Sequence, residues 1–158
     1  ILKLQMFSAL TYATHFLLLG AFTGSAASVI TALRNHVYQK THKRWRTWLI
    51  PIFFGLVFTI AGILTWEGWI SLLVIISSLS GVAAYWQSSP RVIRFVELLL
   101  GPPLWIIYNV VSHSYPGIIL EIFLLSSTLV AIYRFDVRKF RQPILNKKLS
   151  RALLKDRL

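Results

Sequence analysis

The sequence predicts an all-α polytopic membrane protein with six visible transmembrane helices, and three observations predict it. Six long apolar stretches follow one another through a chain of 158 residues that is 56% hydrophobic. A soluble domain of this size carries far more charge than the 14% found here. All 17 Lys and Arg fall at Lys3, between Arg34 and Arg46, at Arg91 and Arg94, and from Arg134 onward. The alternate junctions, 20–24, 66–68 and 112–116, hold none. Short loops beside spans follow the positive-inside rule, so the basic junctions and the C-terminus are predicted to face the cytoplasm. Trp45, Trp48 and Trp86 at one level, with Trp66 and Trp69 at the other, read as aromatic belts.

The first stretch, Leu4–Gly20, carries His15 near its middle. Imidazole titrates near neutrality, so His15 is a candidate proton-coupling group, with a structural hydrogen bond as the plainer reading. The second stretch, Ala21–Leu33, falls short of the ~20 residues of a full span. Its Gly24, Ser28 and Ala32 recur every fourth residue and smooth one face for a close neighbour, which suits the interior of a bundle. The third stretch, Trp48–Leu64, lies in a linking helix placed at 47–65. The fourth, Trp69–Trp86 (helix 69–86), repeats the small-residue pattern at Ser77, Gly81 and Ala84.

The fifth stretch, Val92–Val111, contains Pro102-Pro103, which lack backbone donors and predict a kink. Trp105, Tyr108 and Asn109 stand at i, i+3 and i+4 on one helical face, an aromatic plate beside an amide. Glu97 lies three residues after Arg94 and reads as an ion pair at the interface. The sixth stretch, Gly117–Tyr133, follows Pro116, which suits a first helical turn. Glu121 then sits ~8 Å inside the helix. A carboxyl group there is costly and belongs in a bundle interior or wet cavity. Its depth is expected to bring it to Asn109.

The bundle is placed at residues 1–135 and a basic cytoplasmic tail at 136–158. Ile144, Leu145, Leu149, Leu153 and Leu154 keep roughly helical spacing, which predicts a helix resting on anionic lipid. The net charge of +12 sits in loops beside apolar spans, so the expected partners are the bilayer and its anionic head groups, not nucleic acid. The same features also admit a homo-oligomer or a larger membrane complex. The chain opens on Ile1 with Lys3 already at a basic junction, which predicts a further segment upstream. Cysteine is absent, which excludes disulfides and thiolate chemistry. No His/Glu spacing matches a zinc site, and no nucleophile elbow, phosphate loop or pair of catalytic acids appears. Neither an enzyme nor a cofactor is expected.

A weak internal repeat relates hairpins 4–34 and 92–134. Superposing Phe16-Leu19-Gly20 on Trp105-Tyr108-Asn109 brings Thr31 opposite Glu121 with one gap. Both hairpins start at a basic junction, so the axis relating them is expected to lie along the membrane normal, an arrangement known among transporters.

Several residues carry a resemblance over Leu2–Pro143: the run from His15 to Gly20, the Ala/Ser-rich segment to Arg34, Pro103-Leu104-Trp105, Tyr108-Asn109, Gly117, Glu121 and Arg134. Together they resemble the YgjV family of bacterial inner-membrane proteins. That family is similar, distantly, to the SWEET and SemiSWEET sugar transporters. The resemblance implies a three-plus-one-plus-three bundle, with the six visible helices as helices two to seven. It also implies a solute site at Trp105 and Glu121. The chain has Glu121 where the sugar family has Asn, and lacks a Pro-Gln pair in the fourth span.

The expected function is a small-solute transporter working by alternating access on a polar or cationic substrate. Trp105, Tyr108, Asn109, Glu121 and Thr31 would bind the solute, and Glu121 and His15 would couple protons. The competing class is a non-transporting subunit or scaffold of a larger membrane complex.

Overall fold

The computed structural model describes residues 2–41, 48–87 and 89–137. The predicted amphipathic tail helix, like Trp45, lies outside the described residues. The architecture is all-α: α1 (Leu2–Leu18), α2 (Phe22–Lys40), α3 (Leu49–Leu64), α4 (Ile70–Gln87), α5 (Pro90–Leu99), α6 (Gly101–Val111) and α7 (Tyr115–Ile132), with α7 passing into a π-helical turn, Tyr133–Val137. Among the described residues three segments are long and apolar enough to cross a membrane: Ile70–Gln87, Pro90–Val111 and Tyr115–Asp136. Helix α3 is apolar and shorter.

One element differs from expectation and another refines it. The short second stretch is the first part of a 19-residue helix, because α2 continues through Arg34 and Asn35 to Lys40. The fifth stretch is interrupted at the predicted proline site and divides into two helices, α5 and α6, within the one apolar segment Pro90–Val111. Pro102 and Pro103 cannot donate to the carbonyls one turn back, so the ladder stops at Leu100 (φ −124°, ψ −42°) and restarts in α6.

The far-end turns of the two hairpins are the same motif. In the first, Ala21 N–H donates to Phe16 C=O (2.9 Å) and Gly20 N–H to Leu17 C=O (3.1 Å). In the second, Ser114 N–H donates to Asn109 C=O (2.8 Å) and His113 N–H to Val110 C=O (3.2 Å). Both are Schellman closures that need a left-handed residue after the helix. Gly20 (φ 74°) supplies it in one and His113 (φ 55°) in the other. The following residues match as well: Ala21 has φ −84°, ψ 75° and Ser114 has φ −86°, ψ 76°. This turn fixes the register of the repeat. Glu121 aligns with Ser28 and Trp105 with Tyr12, with no gap, so Thr31 aligns with Leu124 rather than with Glu121.

Helix α4 is the hub and packs against α2, α3, α5 and α6, while α1 lies along α2. Phe16, Ala27, Ile30, Phe54, Phe58, Val74, Val82 and Tyr108 form the shared core. Ile52, Phe53, Leu56, Ile60 and Ile63 on α3 are exposed, as are Ile119, Ile122 and Phe123 on α7. Such a surface suits hydrocarbon, where apolar exposure carries no hydrophobic penalty. On α7 only Gly117 and Glu121 are buried. Trp48, Trp66 and Trp69 are exposed as belt residues should be, but Trp86 is buried and packs edge-on against Tyr38 (5.2 Å).

Candidate functional site

A cavity of about 220 Å³ lies between the hairpins, lined from α1, α2, α4, the α5–α6 break and α7. It occupies the part of the bundle nearer the basic ends, since Gln5 and Ser8 enter it from the start of α1, Arg34 and Asn35 from late in α2, and Tyr85 from late in α4. At ~30 Å³ per water it has room for about seven waters, a solute smaller than those filling the ~300–1,000 Å³ pockets of drug-sized ligands.

The hairpins line it in register. Ser8 and Gly101, Ala9 and Pro102, Tyr12 and Trp105, Ser28 and Glu121, and Thr31 and Leu124 all face it, and each pair is related by the shared turn. Trp105 stacks on Phe16 (centroids 5.7 Å apart, planes at 23°) and meets Tyr108 edge-on (5.6 Å). Of the residues singled out from sequence, Trp105, Glu121 and Thr31 therefore come together at one cavity.

Tyr108, Asn109 and His15 do not line it. Tyr108, fully buried, accepts from Gly24 N–H (2.8 Å) and donates to Glu67 Oε2 (3.1 Å). Asn109 is also fully buried, and its carboxamide packs against Gly117, four residues before Glu121 on the chain. The expected Asn109–Glu121 pair makes no hydrogen bond, since neither atom of the Asn109 carboxamide has a partner. Tyr108 and Asn109 share a helical face with Trp105, but at ~1.5 Å rise per residue they lie ~4.5–6 Å nearer the far end. His15 sits in the last turn of α1, not mid-span, and its Nε2 hydrogen-bonds Ser114 Oγ (2.9 Å).

Two cavity groups, Arg34 and Asn35, escaped sequence reasoning, and a third, Glu97, has a different partner from the one expected. Arg34, read as the end of a span, is 5% exposed. Its guanidinium carbon lies 5.2 Å from the Tyr85 ring and 6.0 Å from the rings of Tyr38 and Phe58. Asn35 is 1% exposed and accepts from Arg34 Nε (3.2 Å) and Nη2 (3.0 Å) at Oδ1. Glu97 is not paired with Arg94. It accepts from Tyr85 Oη (3.0 Å), which in turn accepts from Gln5 Nε2 (2.8 Å). Arg94 turns instead to Asp136 (2.9 Å), as does Arg91 (3.2 Å), so the π-helical turn is tied to α5. Gly101 makes room for the Glu97 carboxylate, since a Cβ there would lie 2.7 Å from Glu97 Oε2. Among the described residues no cluster of three His, Asp or Glu is placed to hold a metal ion.

The chain matches the family Imp-YgjV, described as bacterial inner membrane protein, over residues 1–139. No curated protein and no solved structure matches it.

Proposed function

Because the chain belongs to the Imp-YgjV family of bacterial inner membrane proteins, we propose that it is a small-solute transporter working by alternating access, with the six apolar stretches as its spans. The observation that carries this reading is the cavity lined in register by two hairpins and holding Glu121, Trp105 and Thr31. Ionisable groups inside a membrane bundle mark solute or ion paths, and repeat interfaces are where transporters keep their sites. The break between α5 and α6 at Leu100 supplies a hinge beside the cavity. Glu121 binds solute or carries a coupled proton. Tyr108, Asn109 and His15 are left out of the site because they do not reach the cavity.

The basic junctions and the C-terminus face the cytoplasm in this reading. Single-Cys variants at Thr41 and Ser89 then label only from inside, and labelling of either from outside in intact cells reverses the topology. The decisive experiment is a thermal-shift screen of purified protein against sugars, amino acids, nucleosides and cations, followed by Glu121→Gln. The variant keeps the fold and loses the pH dependence of ligand binding. A Glu121→Gln protein that melts earlier while binding unchanged shows Glu121 to be a packing residue. A protein that no solute of any class stabilises favours the scaffold reading.

A further inference from the structure

At one end of the cavity Asn35 Nδ2 is a buried donor with no acceptor, and the neighbouring Arg34 Nη1 makes no hydrogen bond among the described residues. Arg34 carries five N–H donors, and its two hydrogen bonds go from Nε and Nη2 to the same oxygen, Asn35 Oδ1. No carboxylate lies within ion-pair distance of Arg34 among the described residues. Glu97 shares the cavity, but its Oε1 is taken by the Tyr85 hydroxyl at 3.0 Å, and the Tyr85 ring stands beside the guanidinium at 5.2 Å. At 5% exposure Arg34 does not snorkel to a surface. Aromatic faces offset part of the cost of burying a cation, but an uncompensated buried charge remains expensive. The neighbouring amide shows the same demand. Because Arg34 fixes Asn35 Oδ1, the amide orientation is settled, and Asn35 Nδ2 is left buried with no hydrogen-bond partner. Both residues line the cavity. The small residue Gly81 faces them, where a Cβ would come to 3.1 Å from Arg34 Nη1.

We propose that the Arg34–Asn35 end of the cavity is a carboxylate-binding subsite and that the solute is a small zwitterion of the amino-acid kind. This rests on the transporter reading and names its substrate class. A carboxylate set between Arg34 Nη1 and Asn35 Nδ2 supplies the missing counter-charge and the missing acceptor together. Charge-assisted hydrogen bonds of that type are the strong ones. Glu121, which lines the same cavity, takes the ammonium group. A simple cation would meet the unpaired guanidinium, and a doubly charged phosphate would meet Glu97 and Glu121, so neither fits as well.

The test is a thermal-shift and calorimetric panel on the detergent-purified full chain, using L-amino acids, their methyl esters and the matching amines. At least one amino acid raises the melting temperature, while its ester and amine do not. Arg34→Met weakens that binding by roughly tenfold to a hundredfold, as loss of a charged hydrogen bond implies. Asn35→Asp is the sharper variant. It places a carboxylate beside Arg34, so the apo protein melts no lower and amino-acid binding is lost. A panel without a carboxylate-dependent shift overturns the subsite, as does wild-type affinity in Asn35→Asp. Counterflow in proteoliposomes separates the two claims. Carboxylate-dependent binding without flux leaves the subsite and removes transport, whereas flux of a neutral sugar leaves transport and removes the subsite.

Discussion

The two ends of this bundle treat buried polar groups in opposite ways. At the far end Glu67 accepts from Thr23 N–H (3.2 Å) at the start of α2 and from Tyr108 Oη (3.1 Å) in α6, while its own N–H donates to Ser71 Oγ (2.9 Å). Thr23 Oγ1 bonds Ser71 Oγ at 3.0 Å and donates to the Thr65 carbonyl. Each member satisfies the next, across α2, α4, α6 and the α3–α4 loop. In the cavity, by contrast, Arg34 forms no ion pair among the described residues, and Asn35 Nδ2 and Gln5 Oε1 lack partners. Buried polar groups are normally paired, and a satisfied network rigidifies what it joins. The knot therefore reads as structure, and the cavity as a place that awaits a partner.

The difference is broken most severely at Glu67. Glu67→Ala orphans two buried donors at ~1–3 kcal/mol each, so it costs roughly 2–6 kcal/mol. A carboxylate at the first turn of α2 also favours the helix dipole, which the change removes. The protein melts much earlier in detergent, while any fraction that remains folded binds its ligand normally. Ligand affinity falling in step with melting temperature would mean that the knot and the cavity are one device.

Gly24→Ala comes next. A Cβ at Gly24 lies 2.7 Å from Tyr108 Cε1 and 3.1 Å from Phe16, so the side chains from α6 and α1 must shift away from α2. Overpacking of this kind costs about 1–3 kcal/mol. Thermal melting reads it, and an unchanged melting temperature would show that the hairpins are not held by this contact.

Much of this arrangement was legible. The junctions free of Lys and Arg marked the turns, small residues on α2 and α4 marked close approaches, and a lone carboxyl in the last span marked the interior. Trp105 and Glu121 do share a cavity. Arg34 was not legible, because a cation after an apolar run looks like a span end. Only tertiary packing, with α2 running on to Lys40 among the rings of Tyr38, Phe58 and Tyr85, buries it. The register of the repeat was missed because a left-handed Gly and a left-handed His look unlike in sequence, although the turn needs only their φ. Tyr108 was misassigned because helical spacing gives the face and not the partner. The acid that Tyr108 serves, Glu67, sits in a loop 41 positions away.

Arg34→Met leaves the buried Asn35 Oδ1 without its two donors, at about 1–3 kcal/mol. It also removes a buried charge that has no ion pair among the described residues, so the net effect on stability is small. Replacing a buried charge by an apolar side chain of similar length is often neutral or stabilising when no ion pair is broken. The melting temperature of the apo protein therefore changes little while ligand binding falls, the reverse of Glu67→Ala. A large loss of stability would mean that Arg34 is held for packing among its three rings.

The smallest expected effect belongs to Asn109, and it sharpens the comparison most. Asn109 is fully buried with neither amide atom hydrogen-bonded, yet it lies outside the cavity. If a missing partner alone marked function, Asn109 would belong with Arg34 and Asn35. What separates them is space. The cavity beside Arg34 and Asn35 admits a ligand, whereas a Cβ on Gly117 would already collide with the Asn109 carboxamide. A buried amide without partners forfeits its hydration with nothing gained, so an apolar replacement of the same shape is neutral or stabilising. Asn109→Leu is therefore expected to leave the melting temperature unchanged or raise it, with ligand affinity intact. Loss of affinity in this variant would extend the site one turn toward the far end, and would join the two regions that the structure keeps apart.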